Sequence, residues 1–301
     1  MRAGPCTEAP YVPNRRAMRR LCLVLSLLCL LPVANAAAQD AEETSTVEIV
    51  EAGAAPQRAL RHRFAAGVTQ PIQLRVQSQM RMTLGERDNT VPMPILRLDV
   101  TFGPTEIADN GNVRYAFLVT DVGISGGTDP QVDERVQGQI AGLVGAHGQT
   151  EMNDRGEVVS FEYELAEGAA PELRQQAGIL RDSMTRLLPR FPEEPVGTGA
   201  VWRVSDQLNL PNMRVAVATT YRLVSWQGDR IELAVSTETI DENGQPANAA
   251  RIEVSGTGRL RFELGTLQTR GRIQTVAAAH IRGPGGEMRM RIRTRMQITP
   301  R

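Results

Sequence analysis

No cysteine follows position 29 in this sequence. Cys6, Cys22 and Cys29 all fall within the first 38 residues, so the rest of the chain has no disulfide, no thiol nucleophile and no cysteine-based metal site. A chain of this length must then be held by its core, and it is long enough to build one. Aromatic residues make up 4% of the sequence, too few for an obvious carbohydrate or single-stranded nucleic-acid platform. Histidine occurs only as His62, His147 and His280, far apart and without the close second ligand usual in zinc sites. After residue 39 no run is apolar for the roughly 20 residues that a membrane-spanning helix needs. Lysine is missing altogether: all 34 basic residues are arginine, which reads as codon usage in a GC-rich bacterium. No phosphate loop, dinucleotide fingerprint or EF-hand loop is present. The sequence implies no cofactor and no metal.

What is present begins with an export signal. Arg15, Arg16, Arg19 and Arg20 precede the apolar run Leu21 to Val33, and Ala34-Asn35-Ala36-Ala37-Ala38 follows. A basic start, an apolar middle and a small-residue end are the three parts of a secretory signal peptide. The start is Met1 or Met18, and cleavage is expected after Ala36 or Ala38. Leu28 before Cys29 speaks against lipid attachment there. Residues 1–38 carry five arginines and Glu8, so their removal leaves 29 basic residues against 33 acidic ones, a net of about −4. A mildly acidic chain is a poor general nucleic-acid binder. The expected location is the periplasm or outside the cell. Residues 39–57, acidic and alanine-rich without a period, read as a flexible tether.

The remainder alternates. Ile72, Leu74, Val76, Met80, Met82 and Leu84 interleave with Gln73, Arg75, Gln77, Gln79, Arg81 and Thr83, the pattern of a strand with one dry face. Arg58 to Phe64, Ile95 to Phe102, Val113 to Val122, Gln149 to Met152, Glu157 to Leu165, Met213 to Leu223, Ile231 to Val235, Ile252 to Leu264, Leu267 to Ile281 and Met288 to Ile298 complete the strand set. Gly256 and Gly258 on a dry face mark a bend or a close approach. Two helices are expected. One starts at Asp129-Pro130, with Val132, Val136, Ile140, Leu143 and Val144 as its stripe, and stops near Gly148. The other runs from Pro171 to Leu188 on Leu173, Ala177, Leu180, Met184, Leu187 and Leu188. The chain thus divides into a first β-rich half (58–170, with a helix near 130–147), a linking helix and proline-rich strap (171–198) and a second β-rich half (199–301). NGN-VRYAFLVTDVGI resembles QGD-RIELAVSTETI, and NDRGEVVSFEYE resembles LQTRGRIQTVAA, so the halves read either as two copies of one meander or as unrelated.

The fold class is mainly β (α+β): a curved antiparallel sheet forming a barrel or half-barrel, with two amphipathic helices packed on or in it. About ten one-sided strands carry more apolar surface than two helices cover, and burial is worth roughly 25 cal/mol per Å², so the sheet should curl. Methionine suits surfaces that accept varied apolar partners, and equally fills gaps in a core. The candidate ligand-binding residues are Met80, Met82, Met213, Tyr221, Met288, Met290, Met296, Leu180 and Met184. The row Arg289, Arg291, Arg293 and Arg295 is either a grip for phosphate-bearing head groups or a solvated face paired with acids such as Glu253 and Glu263. Gly123-Ile124-Ser125-Gly126-Gly127 fits the nucleophile-elbow pattern, yet its strands read as antiparallel, and a base would have to come from His147 or His280.

Phe191 to Val204, FPEEPVGTGAVWRV, resembles the signature of a bacterial family of exported proteins of unknown function. There a helix ends in a proline pair and a P-x-x-P-V-G-x-G-x-x-W-like run opens the second half. Pro192, Pro195, Gly197, Gly199 and Trp202 stand in those places, and Gly145 through Asp154-Arg155-Gly156 to Val159 is similar to that family's first half. At fold level the pattern is also similar to periplasmic lipoprotein-carrier half-barrels. The resemblance implies no active site. The expectation is a non-enzymatic periplasmic protein that binds a lipid or other apolar molecule, or alternatively an envelope structural protein with a filled core and a protein partner.

Overall fold

The computed structural model describes residues 45–85, 87–126, 130–167, 169, 173, 188–210, 213–241, 252–267, 269–283 and 286–301. Its strands are β1 (Thr46–Glu51), β2 (Gln70–Leu84), β3 (Arg87–Pro92), β4 (Ile95–Ile107), β5 (Val113–Ser125), β6 (His147–Met152), β7 (Val158–Glu164), β8 (Val201–Leu210), β9 (Met213–Gln227), β10 (Arg230–Thr239), β11 (Ile252–Glu263), β12 (Thr269–Gly283) and β13 (Gly286–Pro300). Helix α1 (Pro130–Ile140) and a 3-10 turn (Ala141–Leu143) lie between β5 and β6. All strands join one antiparallel sheet in the order β1-β8-β9-β10-β11-β12-β13-β2-β4-β5-β6-β7, with β3 beside the far end of β2. Each half is a meander of sequence neighbours. The pairing of β13 with β2, from Met288↔Leu84 to Pro300↔Ile72, fuses them into one sheet.

The dry face read for β2 is the buried one except at its end, where Leu84 is exposed. On β2, Ile72, Leu74, Val76, Met80 and Met82 are buried while Arg75, Gln77, Gln79 and Arg81 are exposed. A slip of one residue would exchange the two sets, so burial fixes the register.

Two successive backbone hydrogen bonds show that the sheet curls. His62 N–H donates to the Asp154 carbonyl at 2.7 Å, and Arg63 N–H to the Leu264 carbonyl at 2.7 Å. Asp154 follows β6 and Leu264 follows β11, six strand spacings apart in the sheet order. Laid flat, those spacings would span about 29 Å, whereas neighbouring residues are about 3.8 Å apart. The sheet nevertheless does not close, and β1 and β7 are its free edges. The segment from residue 188 to residue 200 bridges the gap near one end. Phe191 N–H donates to the Arg155 carbonyl at 2.8 Å on the β6–β7 side, while Trp202 Nε1–H donates to the Arg190 carbonyl at 2.8 Å on the β8 side. Arg190 also pairs with Asp206 of β8 at 3.1 Å.

Several expectations need correction. A closed barrel is not formed, because a proline-rich strap rather than a strand pair spans the opening. The described residues contain one helix, not two; the helix expected over Pro171 to Leu188 lies outside them except for Leu173, which is buried, and Leu188. The expected tether contains β1, whose Val47 and Ile49 pack on the core while its backbone pairs with β8. Arg58 to Phe64 is not a strand; it makes one isolated bridge, Arg58↔Val196. Gly148 does not stop the first helix. The helix gives way to the 3-10 turn at Ala141, Gly145 (φ +84°) reverses the chain, and Gly148 sits inside β6 against the Phe117 ring. Ile140 and Leu143 seal α1 and its turn onto the core, whereas Val144 stays exposed.

Candidate functional site

The inner face of the sheet is layered. At the strapped end lies an aromatic base. The His62 ring stacks on Phe64 (centroids 5.0 Å apart) and Phe191 (4.6 Å), with Phe262 at 6.0 Å. Trp202 is fully buried, meets Phe191 edge-on and stacks on Tyr221 at 5.5 Å. His62 is 5% exposed, and neither ring nitrogen has a hydrogen-bond partner among the described residues. Burial pushes its pKa down to about 3, so the imidazole is a neutral aromatic spacer at physiological pH.

Above this base a belt of hydroxyls crosses the sheet at one level. Register aligns Thr219 of β9 with Thr237 of β10, Thr237 with Gly256 of β11, Gly256 with Thr275 of β12, Thr275 with Thr294 of β13, and Thr294 with Ser78 of β2. Thr219 and Thr237 share a hydrogen bond of 3.2 Å, and Ser78 and Thr294 one of 3.1 Å. The Thr275 hydroxyl has no hydrogen bond among the described residues. Gly256 breaks the belt where the strands press together: a Cβ there would lie 3.0 Å from Thr275 Cγ2 and 3.2 Å from the Gln274 carbonyl. This is the close approach that the glycine implied.

Beyond the belt the inner face is apolar again apart from Thr239, whose hydroxyl is bonded to the Val254 backbone, and it falls in two separate groups. Met80, Met82 and Ile292 are buried with Val91 and Met290 against them. Val215 and Val217 are buried with Ile252 and Val254. Between these walls stand Ala277, aligned with Val254 and Ile292, and Ala279, aligned with Ile252 and Met290. Alanine ends at Cβ, so the surface dips along β12 between branched and thioether side chains. The described inner-face residues beyond the belt on β9 to β13 and β2 include no ionisable group.

The structure therefore sorts the sequence-derived candidates. Met80, Met82 and Met290 meet in one cluster, and Met288 lies partly buried further along β13. Met296 and Tyr221 stand below the belt and pack on the main core. Met213 opens β9, but its side chain is outside the described residues, as are Leu180 and Met184 altogether. The hydroxyl belt was not anticipated. Its signal is that Ser78 and Thr294 interrupt dry alternations otherwise filled by aliphatic and thioether side chains.

The nucleophile-elbow pattern meets no base. His147 aligns with Leu118 on β5, seven residues from Ser125; at strand rise that is about 23 Å. His280 lies on β12, four strands from β5 in the sheet order. His147 itself opens β6, with Nδ1 3.1 Å from the Gly145 carbonyl, and caps no helix. Among the described residues no three of His, Cys, Asp and Glu gather in a metal-binding group. No helix among the described residues is long and apolar enough to cross a membrane. Compared with protein-family models and with curated proteins, the chain matches none.

Proposed function

We propose that this chain is an exported cell-envelope protein that binds a lipid or other apolar molecule on the inner face of its curved sheet. The carrying observation is the separation of the Met80, Met82, Met290 and Ile292 cluster from the main core by a hydroxyl belt. A belt of alcohols costs burial that aliphatic side chains would not, so a purely structural interior has no use for it at this level. For an amphiphile it is complementary. The chain would lie along the alanine dip of β12, and its polar end would meet Thr275 and its neighbours. Methionine adapts to chains of varied length and unsaturation. The reading of residues 1–38 as a signal peptide, the likeness to a family of exported proteins and the analogy with lipoprotein-carrier half-barrels support the same direction. Fold alone fixes no ligand.

A second reading is an envelope interaction protein with a filled interior. It is favoured by the burial of Met80, Met82 and Ile292 within the protein itself.

Native mass spectrometry of the protein purified from the cells that make it, followed by organic extraction, decides between them. The first reading expects a stoichiometric lipid, and expects Ala279→Phe, which fills the dip, to lose it while keeping a cooperative melt. A clean apo mass, with no uptake of added fatty acid or phospholipid, leaves the second reading standing.

A further inference from the structure

The outer face carries an arrangement that the sheet itself does not need. Arginines lie directly opposite arginines on neighbouring strands four times: Arg259↔Arg272, Arg261↔Arg270, Arg75↔Arg97 and Arg81↔Arg291. Like charges in directly opposed positions destabilise a sheet. The acids expected to relieve the β13 row do not reach it, although Glu287 on the same strand pairs with Arg289 at 3.4 Å. Glu253 aligns with Ala278 of β12, and Glu263 pairs with Arg230 of β10 at 3.2 Å. Glu232 is shared between Arg259 (3.1 Å) and Arg261 (3.0 Å), and Arg81 is held by Asp88. Arg75, Arg270, Arg272, Arg291, Arg293 and Arg295 have no acidic partner among the described residues, and all six are exposed.

These six centre on β12, β13 and β2. Apart from Arg81, opposite Arg291, their cross-strand neighbours on β13 and β2 are Gln297, Gln77 and Gln79, uncharged and able to donate hydrogen bonds. Two arms meet there, the second passing β13 at Gln297, just beyond the end of the first. One runs along β13 from Arg289 to Arg295, about 20 Å at strand rise. The other runs across the sheet through Arg259, Arg272, Gln297, Arg75 and Arg97, aligned in register over five strands, about 19 Å; its end members are paired, Arg259 with Glu232 and Arg97 with Asp121, and Arg272 and Arg75 between them are not, among the described residues. A single linear polyanion would follow one arm and leave the other unmet, whereas a plane of phosphates meets both. Among the described residues no Phe, Tyr or Trp stands among these arginines to stack a base, as single-stranded nucleic acid would require, and the one ring there, His280 opposite Arg289, lies 3.7 Å from Glu287. Arginine grips phosphate oxygens in pairs through its planar fork.

We infer that the outer face of β12, β13 and β2 docks the protein onto a membrane surface rich in anionic phospholipid head groups. The inference does not rest on the inner-face ligand. It concerns the opposite side of the sheet, and a protein with a filled interior would carry it equally well.

Flotation or co-sedimentation with phosphatidylcholine vesicles, with and without phosphatidylglycerol, tests it. The protein is expected to bind only the anionic vesicles and to release at high salt, since exposed charges are screened within a Debye length. Each arginine near an anionic surface is worth roughly a factor of five, so Arg291→Gln/Arg293→Gln/Arg295→Gln should weaken binding on the order of a hundredfold. The control Arg114→Gln/Arg222→Gln/Arg230→Gln removes the same charge from arginines paired with Glu151, Glu51 and Glu263, and should weaken it far less. The β13 triple variant should also melt no lower than the parent, because it relieves the repulsion at Arg81↔Arg291; this separates docking from a structural role. No binding to anionic vesicles, equal weakening by the two triple variants, or binding to soluble heparin without vesicle binding would each overturn the inference.

Discussion

His62 shows what one residue contributes. Leu60, His62 and Phe64 alternate with Arg61 and Arg63, so the sequence already puts His62 on the dry side of its segment. Its partners Phe191 and Phe262 come from far along the chain, and only the folded arrangement brings them to the ring. The unfolded chain binds a proton there near pH 6.5, whereas the buried ring does so only at about 3. Stability is therefore intact above pH 6.5 and is lost as the pH falls toward 3, by up to about 1.4 kcal/mol per pH unit. The charged groups around this segment are Arg61, paired with Asp154 at 3.4 Å, Arg63, and Arg155, which lies near Glu157 and Glu193. Their titration is common to parent and variant. His62→Phe keeps an aromatic ring in the box and removes the proton site. Denaturant melts at pH 7 and pH 4 should show the parent losing up to about 3 kcal/mol more than the variant; equal losses would mean that the ring finds a proton acceptor or water.

The strap is the element whose role the sequence only half discloses. Its prolines and glycines announce an irregular exit, but not that the exit spans the open side of a curled sheet. β1 and β3 were hidden for a related reason. TVEIVE shows too few alternations to stand out, and RDNTVP is written in turn residues that join the sheet through their backbone beside β2. The strap's grip can be tested at Gly156, in the β6–β7 turn. Gly156 and Gly111 share a left-handed conformation, φ +84° and +83°, so alanine costs each about 1 kcal/mol in backbone strain. They differ in their surroundings. A Cβ at Gly156 would fall 2.5 Å from the Pro189 carbonyl oxygen and 3.2 Å from His62 Nε2, while at Gly111 nothing lies within 4 Å. Gly156→Ala should therefore lower the unfolding free energy by about 2 kcal/mol more than Gly111→Ala, as forced backbone movement at a packed site does. Equal losses in denaturant melts would show that the strap yields freely.

At the scale of the whole molecule, two-half reasoning from the sequence and the observed sheet lead to different unfolding behaviour. The meander order within each half was readable because sequence neighbours pair. The junction was not, because β2 and β13 lie about 200 residues apart and only their equal lengths and matching dry faces hint that they meet. That junction is among the longest ladders in the sheet and carries core residues on both strands, Ile72 and Leu74 facing Pro300 and Ile298. Segment 58–64 and the strap add hydrogen bonds that tie β6, β8 and β11 to common residues. Separating the halves would expose both sides of the ladder and unpack the aromatic base, so neither half has a complete core of its own. The protein should unfold as one cooperative unit. Both tryptophans, Trp202 and Trp226, belong to the second half, which makes the test direct. Tryptophan fluorescence reports the second half and the aromatic base beside it, while far-ultraviolet circular dichroism reports both halves. Coincident denaturant transitions with one midpoint are the expected result, and Ile298→Ala at the junction should move both by the same amount. A fluorescence transition displaced from the dichroism transition would mean that the halves open separately and that the β2–β13 ladder is an interface between two domains.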